Sequence, residues 1–166
     1  VRPAAVIILV SATFPAAAQW AVVTETLEGT QSAATLARIR NDAGYTLGLY
    51  RDGGGAIRAR FTLPDGLTQF EEGHCPTLQV DRWAPDNRSV NDAACVAGGQ
   101  WAEYIVGFVR NGAVQSARLL QIMNGNAATL RFRLAGGDYR ETAFSLSGSK
   151  RSLSTAIGAD VVVSAR

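Results

Sequence analysis

The chain has 166 residues, 47% of them hydrophobic and 18% charged, and its 16 basic and 14 acidic side chains give a formal charge of +2. That is one modest domain with enough apolar content for a core, and the near-balance of charge excludes a dedicated nucleic-acid binder or a polyacidic tail. His74 is the one histidine, so a histidine-based metal set has no ligands to draw on.

Residues 1–18 (VRPAAVIILVSATFPAAA) carry one positive charge at Arg2, an apolar run from Ala4 to Val10 and then Ala16, Ala17 and Ala18. This is the pattern of a secretory signal peptide cleaved after Ala18. The apolar run is well short of the roughly 20 residues that span a bilayer. Residues 19–166 are then expected to form a single mature domain with no transmembrane segment, in the periplasm or at the cell surface.

Trp20–Thr26 (WAVVTET) is β-branched and apolar, as a short strand requires. Thr35–Arg40 alternates less cleanly, and Tyr45–Tyr50 (YTLGLY) is the better strand. Asp52-Gly53-Gly54-Gly55 supplies the positive φ that a hairpin turn demands. The return, Ile57-Arg58-Ala59-Arg60-Phe61, puts Ile57, Ala59 and Phe61 on one face and Arg58 and Arg60 on the other. A phosphate loop is excluded at these glycines, because no Lys-Ser/Thr follows and no helix N-terminus is at hand.

Leu63-Pro64-Asp65-Gly66 is turn chemistry, and Leu78 and Val80, with Trp83 as a further candidate, make another short strand ending near Asp81. Ala84–Asp92 is a polar loop carrying the sequon-like Asn87-Arg88-Ser89. Trp101–Arg110 (WAEYIVGFVR) is apolar on both faces except at Glu103, the pattern of a central strand. Ala113–Met123 spaces Val114, Ala117 and Leu120 for a helix stopped at Asn124-Gly125. Leu130–Leu134 alternates, Ala135-Gly136-Gly137-Asp138 turns and Tyr139–Leu146 returns, with Arg131 and Arg133 opposite Leu130, Phe132 and Leu134. A second helix is expected over Ser149–Ile157, capped by Ser147 or Ser149 and stopped by Gly158, before a last strand, Asp160–Ser164. About eight short strands with turns between them predict an all-β fold, an antiparallel immunoglobulin-like β-sandwich with one or two short helices.

In an oxidising compartment Cys75 and Cys95, the only two cysteines, are expected to pair. Closing a loop of about 20 residues is worth roughly 3 kcal/mol in the chain-entropy model. His74 invites a reading of Cys75 as a catalytic or metal-bound thiol, but neighbours on an extended chain point to opposite faces.

The second half also matches a known pattern. Leu63-Pro64-Asp65-Gly66 and Val80-Asp81 precede Cys95, a long apolar strand, a helix before Asn124-Gly125 and the strand Leu130–Leu134. The chain then runs through Ser145-Leu146-Ser147-Gly148-Ser149, with Leu153, Ala156 and Ile157 on the following turns. This arrangement resembles the invasion-associated locus B family of exported proteobacterial proteins, whose members share such an ending and often start the mature chain with Trp, as Trp20-Ala21-Val22-Val23 does. The chain departs from the family in three places: no cysteine closely follows Trp20, Gly99-Gln100-Trp101-Ala102 stands where a Gly-Cys doublet is usual, and Ser149 replaces an aromatic residue. The resemblance implies an immunoglobulin-like sandwich in the periplasm or at the cell surface, linked in pathogens to host-cell entry, and it transfers no catalytic residue.

The chain's own chemistry is sparse. Glu71 and Glu72 lie in a Gly-flanked turn beside His74, where solvated charge is the plain explanation. A carboxylate at Glu103 on a central strand needs a cross-strand partner, and Arg58, Arg60, Arg131 and Arg133 are the candidates. Those four arginines, if they share one sheet face, would form a surface for an anionic partner. A nucleophilic triad has no base but His74 and no G-x-S-x-G elbow, and Trp83 and Trp101 are expected to pack on the disulfide. The reading is an exported, non-enzymatic binding or structural protein with an unidentified envelope or host-surface partner, and with no cofactor, metal or nucleic acid. The alternatives are a small periplasmic hydrolase using Glu71, Glu72 or Glu103, and a periplasmic enzyme inhibitor.

Overall fold

A computed structural model describes residues 18–67, 69–85 and 95–162 of the chain. The expected signal segment up to residue 17, the sequon at Asn87 and the end of the last expected strand lie outside the described residues.

Four strands follow one another as an antiparallel meander: β1 (Ala21–Thr26), β2 (Ala33–Arg40), β3 (Thr46–Arg51) and β4 (Ala56–Thr62). The turn between β3 and β4 is closed by Asp52, whose Oδ1 accepts from the backbone N–H groups of Gly54 and Ala56 at 2.9 Å, and by Gly55 at φ +84°. Next come β5 (Thr77–Val80), β6 (Cys95–Gly98), β7 (Trp101–Arg110) and β8 (Ala113–Gln115). Helix α1 (Ala117–Asn124), the hairpin β9 (Ala127–Arg133) and β10 (Tyr139–Ser145), helix α2 (Ser149–Ile157) and β11 (Asp160–Val162) complete the described order.

The larger sheet runs β1-β2-β3-β4-β7-β8-β11, with β6 also paired to β7, and the smaller runs β10-β9-β5. Only the β8–β11 pair is parallel among the described pairings. β7 is central, as its two-faced apolar pattern predicts: β4 lies along one edge, while β6 and β8 divide the other. The two sheets face each other across an aromatic cluster. Phe61 of β4 meets Phe132 of β9 with ring centroids 5.0 Å apart, and Tyr45, Phe70 and Phe144 surround them. Burying a side chain such as Phe61 contributes roughly 2–3 kcal/mol. α2 lies against β2 and β3 and sends Leu153 and Ile157 into the same core as Leu119 and Ile122 of α1.

The bridge Cys75–Cys95 is present, with Cα atoms 6.5 Å apart. It ties the segment entering β5 in the smaller sheet to β6 in the larger one.

The structure corrects four local expectations. Ala113–Gln115 is strand, not helix, because Val109 and Arg110 of β7 and β11 offer ladder partners; the helix starts after Ser116. α2 is preceded by Gly148 at φ +83° with no side-chain cap, since the Ser149 hydroxyl instead donates to the Ile122 carbonyl at 2.8 Å and fixes α2 on α1. The strand at Leu78 and Val80 ends beside Asp81 as expected, turned by that residue's φ of +48°, but Trp83 is not part of it and is 59% exposed. Trp101 packs on Arg60 and not on the disulfide.

Candidate functional site

The alternation of β4 and β7 determines what the outer face of the larger sheet carries. Ile57, Ala59, Phe61, Ala102 and Tyr104 point into the core, so Arg58, Arg60 and Glu103 point away from it. Arg60 stands directly opposite Glu103, and Arg58 opposite Tyr50 on β3. The carboxylate of Glu103 therefore sits among three donors: Tyr50 Oη at 2.8 Å, Arg58 Nη1 at 3.2 Å and Arg60 Nη1 at 3.5 Å. Glu103 is only 8% exposed and Arg60 6%, so each depends on this pairing.

The loop between β1 and β2 folds over the network. Leu27 packs on Leu36 and Tyr50, forming a second, small apolar cluster on the outer side of the sheet. The Glu28 carbonyl accepts from Arg60 Nη2 at 2.7 Å, and the Arg60 guanidinium lies 4.0 Å from the Trp101 ring centroid. Arg60 is thus locked and covered. Arg58 is held but not covered: its Nε donates to Asp52 Oδ2 at 2.7 Å and its Nη1 to Glu103 Oε1, while Nη2 has no partner among the described residues.

These charges set each other's ionisation. Burial opposes the Asp52 carboxylate, but hydrogen bonds from Arg58 and from the N–H groups of Ala56 and Gly54 outweigh it and hold the carboxyl below the usual aspartate range. The Asp52 hydrogen bond in turn raises the Arg58 pKa against the opposing effect of its burial. Burial first, and then the hydrogen bond and charge of Glu103, push the Tyr50 phenol above the usual tyrosine range, against the lowering effect of Arg58 and Arg60. Tyr50 stays a donor.

A cleft of about 830 Å³ opens beside Arg58, with Asp52, Glu103, Ser32 and Ala34 in its wall and Ala156 of α2 at its margin. Its size falls in the roughly 300–1,000 Å³ range of small-molecule sites.

Arg58, Arg60, Arg131 and Arg133 do not share the one face that a joint anionic-partner surface would need. Leu130, Phe132 and Leu134 of β9 face the core from the other side, which turns Arg131 and Arg133 onto the outer face of the smaller sheet. Two sheets that pack with their apolar faces together must carry their polar faces on opposite sides of the sandwich. Arg131 pairs with Glu141 at 2.6 Å and donates to Gln79, and Arg133 pairs with Glu71 at 3.0 Å and stacks on Tyr139. Glu71 also meets His74 at 3.2 Å, so its turn is more than solvated charge. Glu71 and Glu103 accordingly lie on opposite outer faces, and no metal-competent group of three His, Cys, Asp or Glu exists among the described residues. Sequence reasoning missed Tyr50 and Asp52. The signal was the register: pairing YTLGLY with IRARF through the Asp52 turn puts Tyr50 across from Arg58.

No protein-family model matches the chain, and no curated protein matches it in sequence. Among solved structures, the crystal structure of invasion associated protein B from Bartonella henselae aligns over 87% of this chain and 95% of that one, with a TM-score of 0.54 and 17% identity. The two chains have similar folds. At that identity the likeness to invasion associated protein B is one of architecture, covering nearly the whole of both chains.

Proposed function

We propose that the chain is an exported, non-enzymatic binding protein of the bacterial envelope, active in surface interaction or invasion, and that the cleft beside Arg58 engages its partner. The likeness of fold to invasion associated protein B carries this reading. The Cys75–Cys95 bridge, of a kind that persists in oxidising compartments, supports export, and no described helix is long and apolar enough to cross a membrane.

The test has two parts. The full chain, produced with a C-terminal tag in a Gram-negative host, is expected in the osmotic-shock fraction, oxidised and beginning at Gln19 by mass spectrometry. Retention in the cytoplasm with residues 1–18 attached would overturn export. The labelled mature protein is expected to bind isolated envelopes or cultured host cells saturably and to be displaced by unlabelled protein; binding that never saturates on either would overturn the binding role.

One observation favours a hydrolase as a second reading: Asp52 and Glu103 both line the cleft. A catalytic carboxylate pair needs one member to hold a proton, and the lowered Asp52 carboxyl is a poor proton donor. Glycosidase turnover abolished by Asp52→Asn would establish this reading over the first.

A further inference from the structure

We infer that the cleft beside Arg58 binds a neutral saccharide through a vicinal diol; this rests on the binding role proposed above and names the ligand class for its site. The inference follows from the hydrogen-bonding capacity that the cluster leaves unused. Among the described residues, Asp52 Oδ1 is filled by two backbone N–H groups, while Oδ2 receives only Arg58 Nε. Among the same residues, Glu103 Oε2 is filled by Tyr50 and Arg60, while Oε1 receives only Arg58 Nη1. Each carboxylate keeps one open acceptor position, and Arg58 Nη2 keeps its two N–H donors. All belong to side chains that line the same cleft, so the wall presents acceptor, donor, acceptor in sequence.

Few ligand groups satisfy that pattern. A carboxylate or a fully ionised phosphate ester accepts from Arg58 but has no proton for either acid, and any phosphate or carboxylate meets two negative charges. An ammonium group serves the acids but opposes the guanidinium. A pair of neighbouring hydroxyls does both, each donating to a carboxylate and accepting from Arg58, in charge-assisted hydrogen bonds that are stronger than neutral ones. The remaining wall suits a sugar ring. Ala34 and Ala156 offer methyl groups to its C–H face, and the Ser32 hydroxyl has no side-chain partner among the described residues. The network is also rigid before binding: Arg58 is held by two acids, and Glu103 by Tyr50 and Arg60, so little side-chain entropy is lost on association.

The experiment is a titration of the ¹⁵N-labelled, oxidised mature protein followed by two-dimensional NMR, including the Arg58 Nε–H signal. A chitin-type trisaccharide stands for bacterial wall glycan, a mannose and a galactose trisaccharide stand for host-surface glycans, and heparin and inorganic phosphate are the anionic controls. Saturable shifts at Arg58, Gly53, Thr30 and Thr35 with at least one neutral trisaccharide are expected, little changed between about 50 and 500 mM salt. Ala33→Trp fills the cleft from β2 without removing any member of the charged network and is expected to weaken binding at least about tenfold. Should that variant fail to fold, Arg58→Lys, which keeps the charge but loses the planar fork, is expected to show the same loss. Shifts with heparin or phosphate and none with neutral saccharides would overturn the saccharide class while leaving the cleft as the binding site. Silence from every probe, with envelope binding intact and unaffected by Ala33→Trp, would overturn the cleft as well. Loss of envelope binding altogether would instead count against the proposed function.

Discussion

Glu103 occupies a position on a central strand where an apolar residue would cost less, and its three donors explain how it is tolerated there. Replacing it by Ala would leave the Arg60 guanidinium, 7% exposed, with only the Glu28 carbonyl and the face of Trp101. A loss of about 3–5 kcal/mol is expected for Glu103→Ala, and about 1–2 kcal/mol for Tyr50→Phe, which removes one hydrogen bond to a charged group. Urea denaturation would show whether the two changes keep this order. Asp52 makes a prediction about acid. Its folded carboxyl binds its proton less readily than in the unfolded chain. Its stabilisation is therefore complete above the ordinary aspartate range near pH 4 and is lost as pH falls through the lower folded value. Asp81, lowered by the N–H groups of Asn126 and Ala127, adds to the same trend. Between about pH 5 and 3 the urea midpoint should fall less steeply in Asp52→Asn than in the parent.

At the level of elements, the strands with clean alternation were readable from sequence because their apolar faces are buried against the other sheet. Ile57–Phe61 and Leu130–Leu134 are of this kind. Where the reading failed, partners distant in sequence decided the outcome. Ala113–Gln115 has helical spacing, but β11 lies 45 or more residues away and supplies a parallel ladder that no local pattern announces. Whether the four alternating arginines share a face is open in the sequence for a similar reason: periodicity gives each hairpin's inside and outside, not which side of the sandwich the hairpin occupies. The cleft was illegible in sequence because the loop at residues 27–32, the β3–β4 turn and α2 each supply part of its wall. α1 offers an element-scale test. The Ser116 hydroxyl accepts from the Leu119 N–H at 3.0 Å and donates to the Val106 carbonyl at 2.6 Å, so one side chain both caps the helix and pins it to β7. Ser116→Ala is expected to cost about 1–2 kcal/mol, at the upper end for a lost N-cap, with the amides of α1 exchanging faster than those of β9.

For the whole molecule, the disulfide matters because of what it joins. The described strand pairings contain none between the larger and smaller sheets, so the sandwich is held by side-chain packing, by connections, by side-chain hydrogen bonds such as those from the Asn41 amide to the Thr142 hydroxyl and the Ala143 carbonyl, and by Cys75–Cys95. Reducing it, or replacing both cysteines by Ala, should lower unfolding free energy by about 3 kcal/mol; thermal unfolding of the oxidised and reduced proteins measures this directly. A second long-range tie lies at the other end of the chain. The Trp20 indole N–H donates to the Ser145 carbonyl at 2.8 Å, across 125 positions of sequence, and its ring enters the main core. β1 pairs with the next strand, β2, but the residue just before it has no seat without β10. The strand that opens the meander is therefore fastened in place by the strand that closes the last hairpin, and the first of the two cannot be seated without the second.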